Sequence, residues 1–542
     1  MAVADVIGAT LAAHGVDTIF GVVGSGNFVV TNALCARGAR FVAARHESGA
    51  VSMADGWARA SARPGVASVH QGPGLTNAMT ALAEAAKSAT PLLLLAGDTP
   101  AAALGSNFRV DQHDLVTSVG AIAERIHHPA TAAGDAARAL HRCVAERRPV
   151  VLMLPIDVQA APAPPDAAIP PRAPMPHAPA PAPEAVRAAA ERIAQARRPV
   201  IVAGRGAVVA DARDAAEALG ARCGALLACS APARGLFAGL PYDVGIAGGF
   251  ASPTAAALLE HADLVLALGA RLNPWTTRHG CLFGDATVVK VDADPAALGQ
   301  HLPADLAIVG DAALSARALA EEVAPQQGWR TPDVAARIAA GRWRDVPFAD
   351  EPPDGTVDPR ALSIALNELL PDDVAIATDS GAFLGWPAFY LDVGDARSWA
   401  FTNGFQSIGL GLATAIGVAV AAPERVTVAA VGDGGLFMAL AELETAARLG
   451  LRLLVLVYDD AAYGAEVHHF GPDGHDLGIV RFPDADLAAI ARAAGCEAVT
   501  VRSLDLEPVA AWLRDPGGPL VVDAKVDPGV YGEWLADAFR GG

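Results

Sequence analysis

Residues 428–464 read VAAVGDGGLFMALAELETAARLGLRLLVLVYDDAAYG. An unbroken apolar run ends at Val431 and opens into Gly432-Asp433-Gly434-Gly435. A stretch with helical spacing follows, then a second apolar run that ends in Asp459-Asp460. Continuous Val, Leu and Ile predict strands covered on both faces, as in a parallel sheet flanked by helices. Glycines after a strand let main-chain amides approach an anion, and the following helix aims its first amides at the same place. Asp433 and Asp460 end consecutive strands and can converge on one divalent cation. Oxygen ligands beside a phosphate suit Mg2+. Taken alone, Gly-Asp-Gly reads equally as an ordinary strand-to-helix turn with a capping aspartate.

The same alternation extends through the chain. GVASVH (65–70) and PLLLLAG (91–97) predict strands with a helix between them. PVIVAG (199–204), DLVLALG (263–269) and ATVVKVDAD (286–294) predict a second set, and VAIATD (374–379) and PLVVDAKV (519–526) complete a third. Residues 160–184 are mostly Ala and Pro, a composition that extends and does not pack a core. Turn and breaker residues collect again near 325–358. These breaks predict three tandem doubly wound α/β domains at 1–159, 185–325 and 356–530, with 160–184 as a linker. In such sheets ligands bind where the carboxyl ends of strands run into loops.

Composition narrows the function classes. The 542 residues hold 40 Lys+Arg against 59 Asp+Glu, a net charge of -19, which argues against nucleic-acid and anionic-membrane binding. Six cysteines are scattered without C-x-x-C spacing, so neither a zinc site nor a disulfide framework is indicated. The apolar stretch 410–431 is broken by Pro423, Glu424 and Arg425, so no membrane span is expected. The N-terminus has an early Asp5 and no basic region, and reads as a first amphipathic helix of a cytoplasmic protein.

Two further segments carry chemistry. Phe41-Val42-Ala43-Ala44-Arg45-His46-Glu47-Ser48-Gly49-Ala50 ends a strand with a glutamate that opens a helix of small residues. By itself Glu47 is also a plain first-turn acid, favoured by the helix dipole. His70-Gln71-Gly72-Pro73-Gly74-Leu75-Thr76-Asn77 reads as a loop-to-helix turn. With Gly-Asp-Gly and Asn403-Gly404-Phe405-Gln406-Ser407-Ile408-Gly409, these segments occur together and in order. In that combination the chain resembles thiamine-diphosphate-dependent 2-oxoacid enzymes of the acetolactate synthase and benzoylformate decarboxylase group. The resemblance covers nearly the whole chain, as pyrimidine-binding, central and diphosphate-binding domains.

The resemblance implies roles residue by residue. Glu47 would hydrogen-bond the cofactor's pyrimidine, with Pro73 and Asn77 beside it. Asp433, Asp460 and the carbonyl of Ala462 would bind Mg2+. Most relatives carry Asn at the position of Asp460; the extra charge strengthens metal binding or raises that carboxylate's pKa without metal. Gly432, Gly434, Gly435, Tyr463 and Gly464 would line the diphosphate, with Gly381, Ala382 and Phe383 after strand VAIATD. Ile408 would wedge between the cofactor's rings and Gln406 would offer its carbonyl. Ala203-Gly204-Arg205-Gly206, Gly269-Ala270-Arg271 and Val291–Asp294 resemble segments that hold FAD in acetolactate synthases. The usual histidine-rich FAD stretch is not recognisable in ARGLFAGLPYDVGIAGGF (233–250), so FAD stays an alternative that is not favoured.

Substrate marks are mixed. Ser25 and His70 match the benzoylformate decarboxylase pattern, and a histidine titrating near working pH suits proton transfer; capping of the next helix is the alternative for His70. Gln112 resembles the substrate-contacting glutamine of acetolactate synthases. His469 falls where those enzymes carry a pocket-shaping tryptophan. The pair His468-His469 reads as acid/base or carboxylate-binding groups, or as a solvent-facing stretch of helix. The resemblance therefore implies a small 2-oxoacid donor, and an aldehyde or ketoacid acceptor for an acetolactate-synthase-like carboligase. A benzoylformate-decarboxylase-like non-oxidative decarboxylase is the alternative. An inactive cofactor-binding protein would lack Glu47 or the metal ligands, and both are present. Relatives form homodimers or homotetramers with active sites between subunits, and the same is expected here.

Overall fold

The computed structural model describes residues 1–538. Every residue of the strands Leu92–Asp98, Pro149–Pro155 and Leu453–Asp459 is buried, as their unbroken apolar composition requires. Among the described residues, eighteen strands form three sheets of six, and every pairing within them is parallel. The chain is thus three tandem α/β domains.

In the first sheet the strands lie side by side as Arg40–Ala43, Thr18–Gly21, Gly65–Val69, Leu92–Asp98, Pro149–Pro155 and Ile122–Arg125. The third sheet repeats that order of connection with Trp399–Phe401, Ala375–Thr378, Thr427–Gly432, Leu453–Asp459, Leu520–Lys525 and Glu497–Val501. The middle sheet runs Leu306–Val309, Thr287–Asp292, Leu264–Leu268, Pro199–Ala203, Leu226–Cys229 and Asp243–Ile246. Its strand order reverses between Leu264–Leu268 and Pro199–Ala203, the position of a nucleotide crevice in open α/β sheets.

The first and third domains share one apolar core. Helix Glu47–Ser61 lies against helix Gly411–Ala421, and Val51, Met53, Ala54 and Trp57 join one cluster with Ala413, Ile416 and Val418. The helices approach backbone to backbone: a Cβ at Gly417 would overlap the carbonyl oxygen of Met53. The Ala/Pro stretch carries no helix or strand from 163 to 182, with Ala160 closing one helix and Pro183 opening the next. It is strapped to the first domain, with His14 Nε2 2.9 Å from Pro170 O and Arg172 donating to Ala13 O at 3.1 Å. The breaker-rich second break holds helix Pro332–Ala339, and Trp343 stacks on Phe389 at 4.1 Å. No described helix is long and apolar enough to cross a membrane, and the six cysteines are free thiols.

Candidate functional site

Strand Thr427–Gly432 runs straight into helix Asp433–Ala439, so Asp433 stands buried at the first helical position. The adjacent strand Leu453–Asp459 releases Asp460 into a turn where Ala461 adopts φ 53° and Ala462 N–H reaches Asp460 Oδ1 at 3.2 Å. The glycines between these ends are demanded by what surrounds them. A Cβ at Gly434 would lie 2.7 Å from the Tyr463 ring, and one at Gly464 would collide with the Asp460 carboxylate. Gly432 faces Phe383, whose ring stacks on Tyr458 at 5.3 Å, and Gly381 takes φ +144° just before it. Gly381–Phe383, Gly432–Gly435 and Asp460–Gly464 therefore converge at the carboxyl edge of the third sheet.

Two carboxylates meet there. Asp433 and Asp460 are within hydrogen-bonding reach of each other. Burial, with the charge of Asp459 adding to it, pushes Asp433 up to about 8 and Asp460 up to about 6. The nearest lysine is already engaged: Lys525 pairs with Asp459 and Asp484, each at 2.6 Å. Two buried carboxylates that must otherwise share a proton fit a hard divalent cation. Among the described residues no group of three or more His, Cys, Asp or Glu could hold a metal ion. Any cation at this point therefore depends on main-chain or ligand oxygens to complete its shell.

Beside this edge runs the loop with Gln406, at φ +61°, and Ile408, half-buried. Asp379 reaches it from below, accepting Gly409 N–H at 2.8 Å and Ser380 N–H at 2.9 Å. Sequence reading passed over Asp379, although it ends a strand just as Asp433 follows one.

The first sheet assembles a second group. Glu47 is the first residue of its helix and accepts Asn77 Nδ2 at 3.0 Å. Pro73 opens the short helix that carries Asn77. A buried acid of the third domain, Glu442, accepts the N–H groups of Arg45 at 3.1 Å and His46 at 3.0 Å and so seats the start of the Glu47 helix. Nothing in the sequence marked Glu442, because its partners lie almost the whole chain away. His70 Nδ1 accepts Gly26 N–H at 3.0 Å, which leaves the proton of the neutral ring on Nε2. Burial lowers the His70 pKa, opposed by the charge of Glu47, and Phe108 meets the ring edge-on at 5.0 Å. Ser25 is exposed on the loop next to Gly26.

Gln112 is buried with both ends of its amide occupied: it accepts Gly72 N–H at 2.9 Å and donates to Gly97 O at 3.0 Å. It thus braces the His70–Gly74 loop. His468 stacks on Tyr531 at 4.8 Å, with its pKa lowered by burial, and His469 lies edge-on to Phe470 at 4.5 Å. In the central domain both arginines of the FAD-like segments reach into the first domain. Arg205 donates to Thr90 Oγ1 at 3.0 Å and Arg271 to Lys87 O at 3.3 Å. Among the described residues, no hydrogen bond or ion pair joins the Glu47–Asn77–His70 group to the Asp433–Asp460 group.

Known proteins are similar to this chain in sequence. Residues 1–119 match the thiamine pyrophosphate enzyme N-terminal TPP binding domain, 186–319 the central domain and 379–524 the C-terminal TPP binding domain. The chain is 35% identical over 510 residues to a Pseudomonas aeruginosa protein named "Probable 2-ketoarginine decarboxylase", covering 91% of this chain and 88% of that protein. It is 30% identical over 527 residues to the sulfoacetaldehyde acetyltransferase of Castellaniella defragrans, covering 92% and 87%. It is 29% identical over 540 residues to the acetolactate synthase large subunit of Parasynechococcus marenigrum, covering 96% and 86%. With three domain matches in order, and with 91% of its length matched at 35% identity by one relative, the chain belongs to the thiamine pyrophosphate enzyme family.

Proposed function

We propose that this protein decarboxylates a 2-oxoacid with thiamine diphosphate and Mg2+, and that His70 favours release of the product as an aldehyde. Bound thiamine diphosphate supplies the carbon nucleophile and the electron sink. Glu47, its carboxylate oriented by Asn77, would hydrogen-bond the pyrimidine nitrogen. Asp433 and Asp460, with the carbonyl of Ala462, would hold Mg2+ beside the diphosphate. The observation that carries the decarboxylase reading is the state of His70. Its Nδ1 is committed to Gly26 N–H, and its lowered pKa keeps the ring neutral, so Nε2–H is the donor offered to substrate. Ser25, exposed one residue from that anchor, would contact the substrate's carboxylate.

Carboligation is the second reading, favoured by the relatives named acetolactate synthase and sulfoacetaldehyde acetyltransferase. The two reactions differ in whether a proton or an acceptor arrives first. Product analysis separates them: purified protein with both cofactors is given pyruvate, benzoylformate or 2-ketoarginine, with and without an added aldehyde. Aldehyde and CO2 as sole products support decarboxylation; an acyloin or acetolactate assigns carboligation. His70→Ala is expected to shift the aldehyde share by several-fold, and an unchanged product ratio would remove His70 from that role.

We also infer a homodimer. Apolar side chains stand exposed near each half-site, with Phe28 and Val29 beside the Ser25 loop and Phe437 and Met438 beside Asp433. Apolar surface of this kind marks an interaction site. A second copy meeting these surfaces brings Glu47 of one chain to Asp433 of the other.

A further inference from the structure

The loop 404–409 is gripped at its two ends by buried carboxylates from different domains. Glu84, on the first-domain helix Met79–Lys87, is 2% exposed and accepts Phe405 N–H at 2.7 Å. Asp379 of the third domain accepts Gly409 N–H at 2.8 Å and Leu410 N–H at 3.3 Å. Between these anchors Phe405 and Gln406 are exposed, and Gln406 is held at φ +61°, a conformation a non-glycine residue keeps only when its surroundings impose it.

The Glu84 anchor is embedded in a larger ionic cluster. Its other oxygen accepts Ser88 Oγ at 2.7 Å and Arg59 at 3.0 Å. Arg59 in turn pairs with Asp55 at 2.6 Å and donates to Phe401 O at 2.7 Å. Gly404 suits the approach, since a Cβ there would lie 2.7 Å from Ser88 Oγ and 3.2 Å from Glu84. Burying charges costs several kcal/mol per ion before pairing offsets it, so an ionic anchor is a poor source of stability. Geometry accounts for it better, because a carboxylate locked by Arg59 and Ser88 cannot follow the loop if the loop drifts.

We propose that Glu84 is a positioning residue whose carboxylate fixes where the Gln406–Ile408 segment stands and thereby sets the affinity for thiamine diphosphate. The proposal rests on the reading above that this segment contacts the cofactor. Calorimetric titration of the full chain with thiamine diphosphate at saturating Mg2+ tests it, alongside the Tm of each variant. Glu84→Ala is expected to raise the Kd about tenfold or more. Glu84→Gln, whose amide oxygen can still accept Phe405 N–H, is expected to stay within about threefold of wild type. Gly404→Ala removes no charge but presses its Cβ on Ser88 Oγ and the Glu84 carboxylate, disturbing the anchor, and is expected to raise the Kd at nearly unchanged Tm. If Glu84→Ala does not fold, the Glu84→Gln and Gly404→Ala pair decides. Wild-type Kd in Gly404→Ala overturns the proposal, as does a Glu84→Gln protein as weak as Glu84→Ala. Failure of the wild-type protein to bind thiamine diphosphate would instead sink the cofactor reading on which it stands.

Discussion

Glu47 sits at the first position of its helix, where the dipole favours negative charge, and its carboxylate accepts Asn77 Nδ2. Glu47→Gln keeps the shape and removes the acid. Turnover is expected to fall about 100-fold or more, the scale of a lost proton-transfer group. Mg2+ affinity, measured by calorimetry, is expected to stay at the wild-type value; undiminished turnover would remove Glu47 from the proton pathway. Asp379 makes a different prediction. Burial raises its pKa to about 6 against main-chain hydrogen bonds that lower it, so the folded protein holds a proton there more tightly than the unfolded chain does. The stability this contributes is complete below about pH 4 and is lost as pH rises through about 6. Asp379→Asn does not titrate, so the Tm gap between wild type and variant is expected to narrow from pH 5 to pH 8. The change corresponds to about 1.4 kcal/mol, and a gap that widens would reverse the sign of the shift.

At the scale of elements, the chemistry follows from how strands end and how helices meet. The ends at Val431 and Asp459 were legible because apolar runs stop where Gly and Asp begin, and parallel strands put such stops on one edge. The contact between helices Glu47–Ser61 and Gly411–Ala421 was not legible, because small residues announce close approach without naming the partner. At Gly417 that partner is the main chain of Met53. Gly417→Ala is therefore expected to lower stability by about 1–3 kcal/mol, as overpacking does, read as a lower Tm at constant cofactor. A variant as stable as wild type would mean the two helices separate at little cost. Gly434→Ala probes the opposite case: its Cβ would press on the Tyr463 ring 2.7 Å away. Weaker cofactor binding is expected there, at least tenfold by titration, with an unchanged far-UV circular dichroism spectrum.

Across the whole molecule, the Glu47 group and the Asp433 group lie on separate sheets, near exposed aromatic side chains such as Phe28 at 54% and Phe437 at 43%. Light scattering is expected to give at least a dimer. Phe28→Glu is expected to shift that species toward monomer and to reduce turnover in proportion, while the monomer stays folded. A fully active monomer would place both half-sites of one active centre within one chain. Glu442, Glu84 and Arg59 belong to this scale too: Glu84 and Arg59 reach the third domain's backbone at Phe405 and Phe401 from the first domain, and Glu442 of the third domain reaches the start of the Glu47 helix in the first.

The amino-acid sequence by itself determined the α/β class, the division into three sheets and the segments that carry Glu47, His70, Asp433 and Asp460. Periodicity and strand-end chemistry are local properties, written within a few residues of one another. Only the tertiary structure decided which residues brace these groups. Gln112 spends both ends of its amide on main chain, Asp379 holds the Ile408 loop, and Glu84 reaches Phe405 from another domain. Those bonds join residues tens to hundreds of positions apart, and no local pattern records a partner that the chain meets only once it has folded.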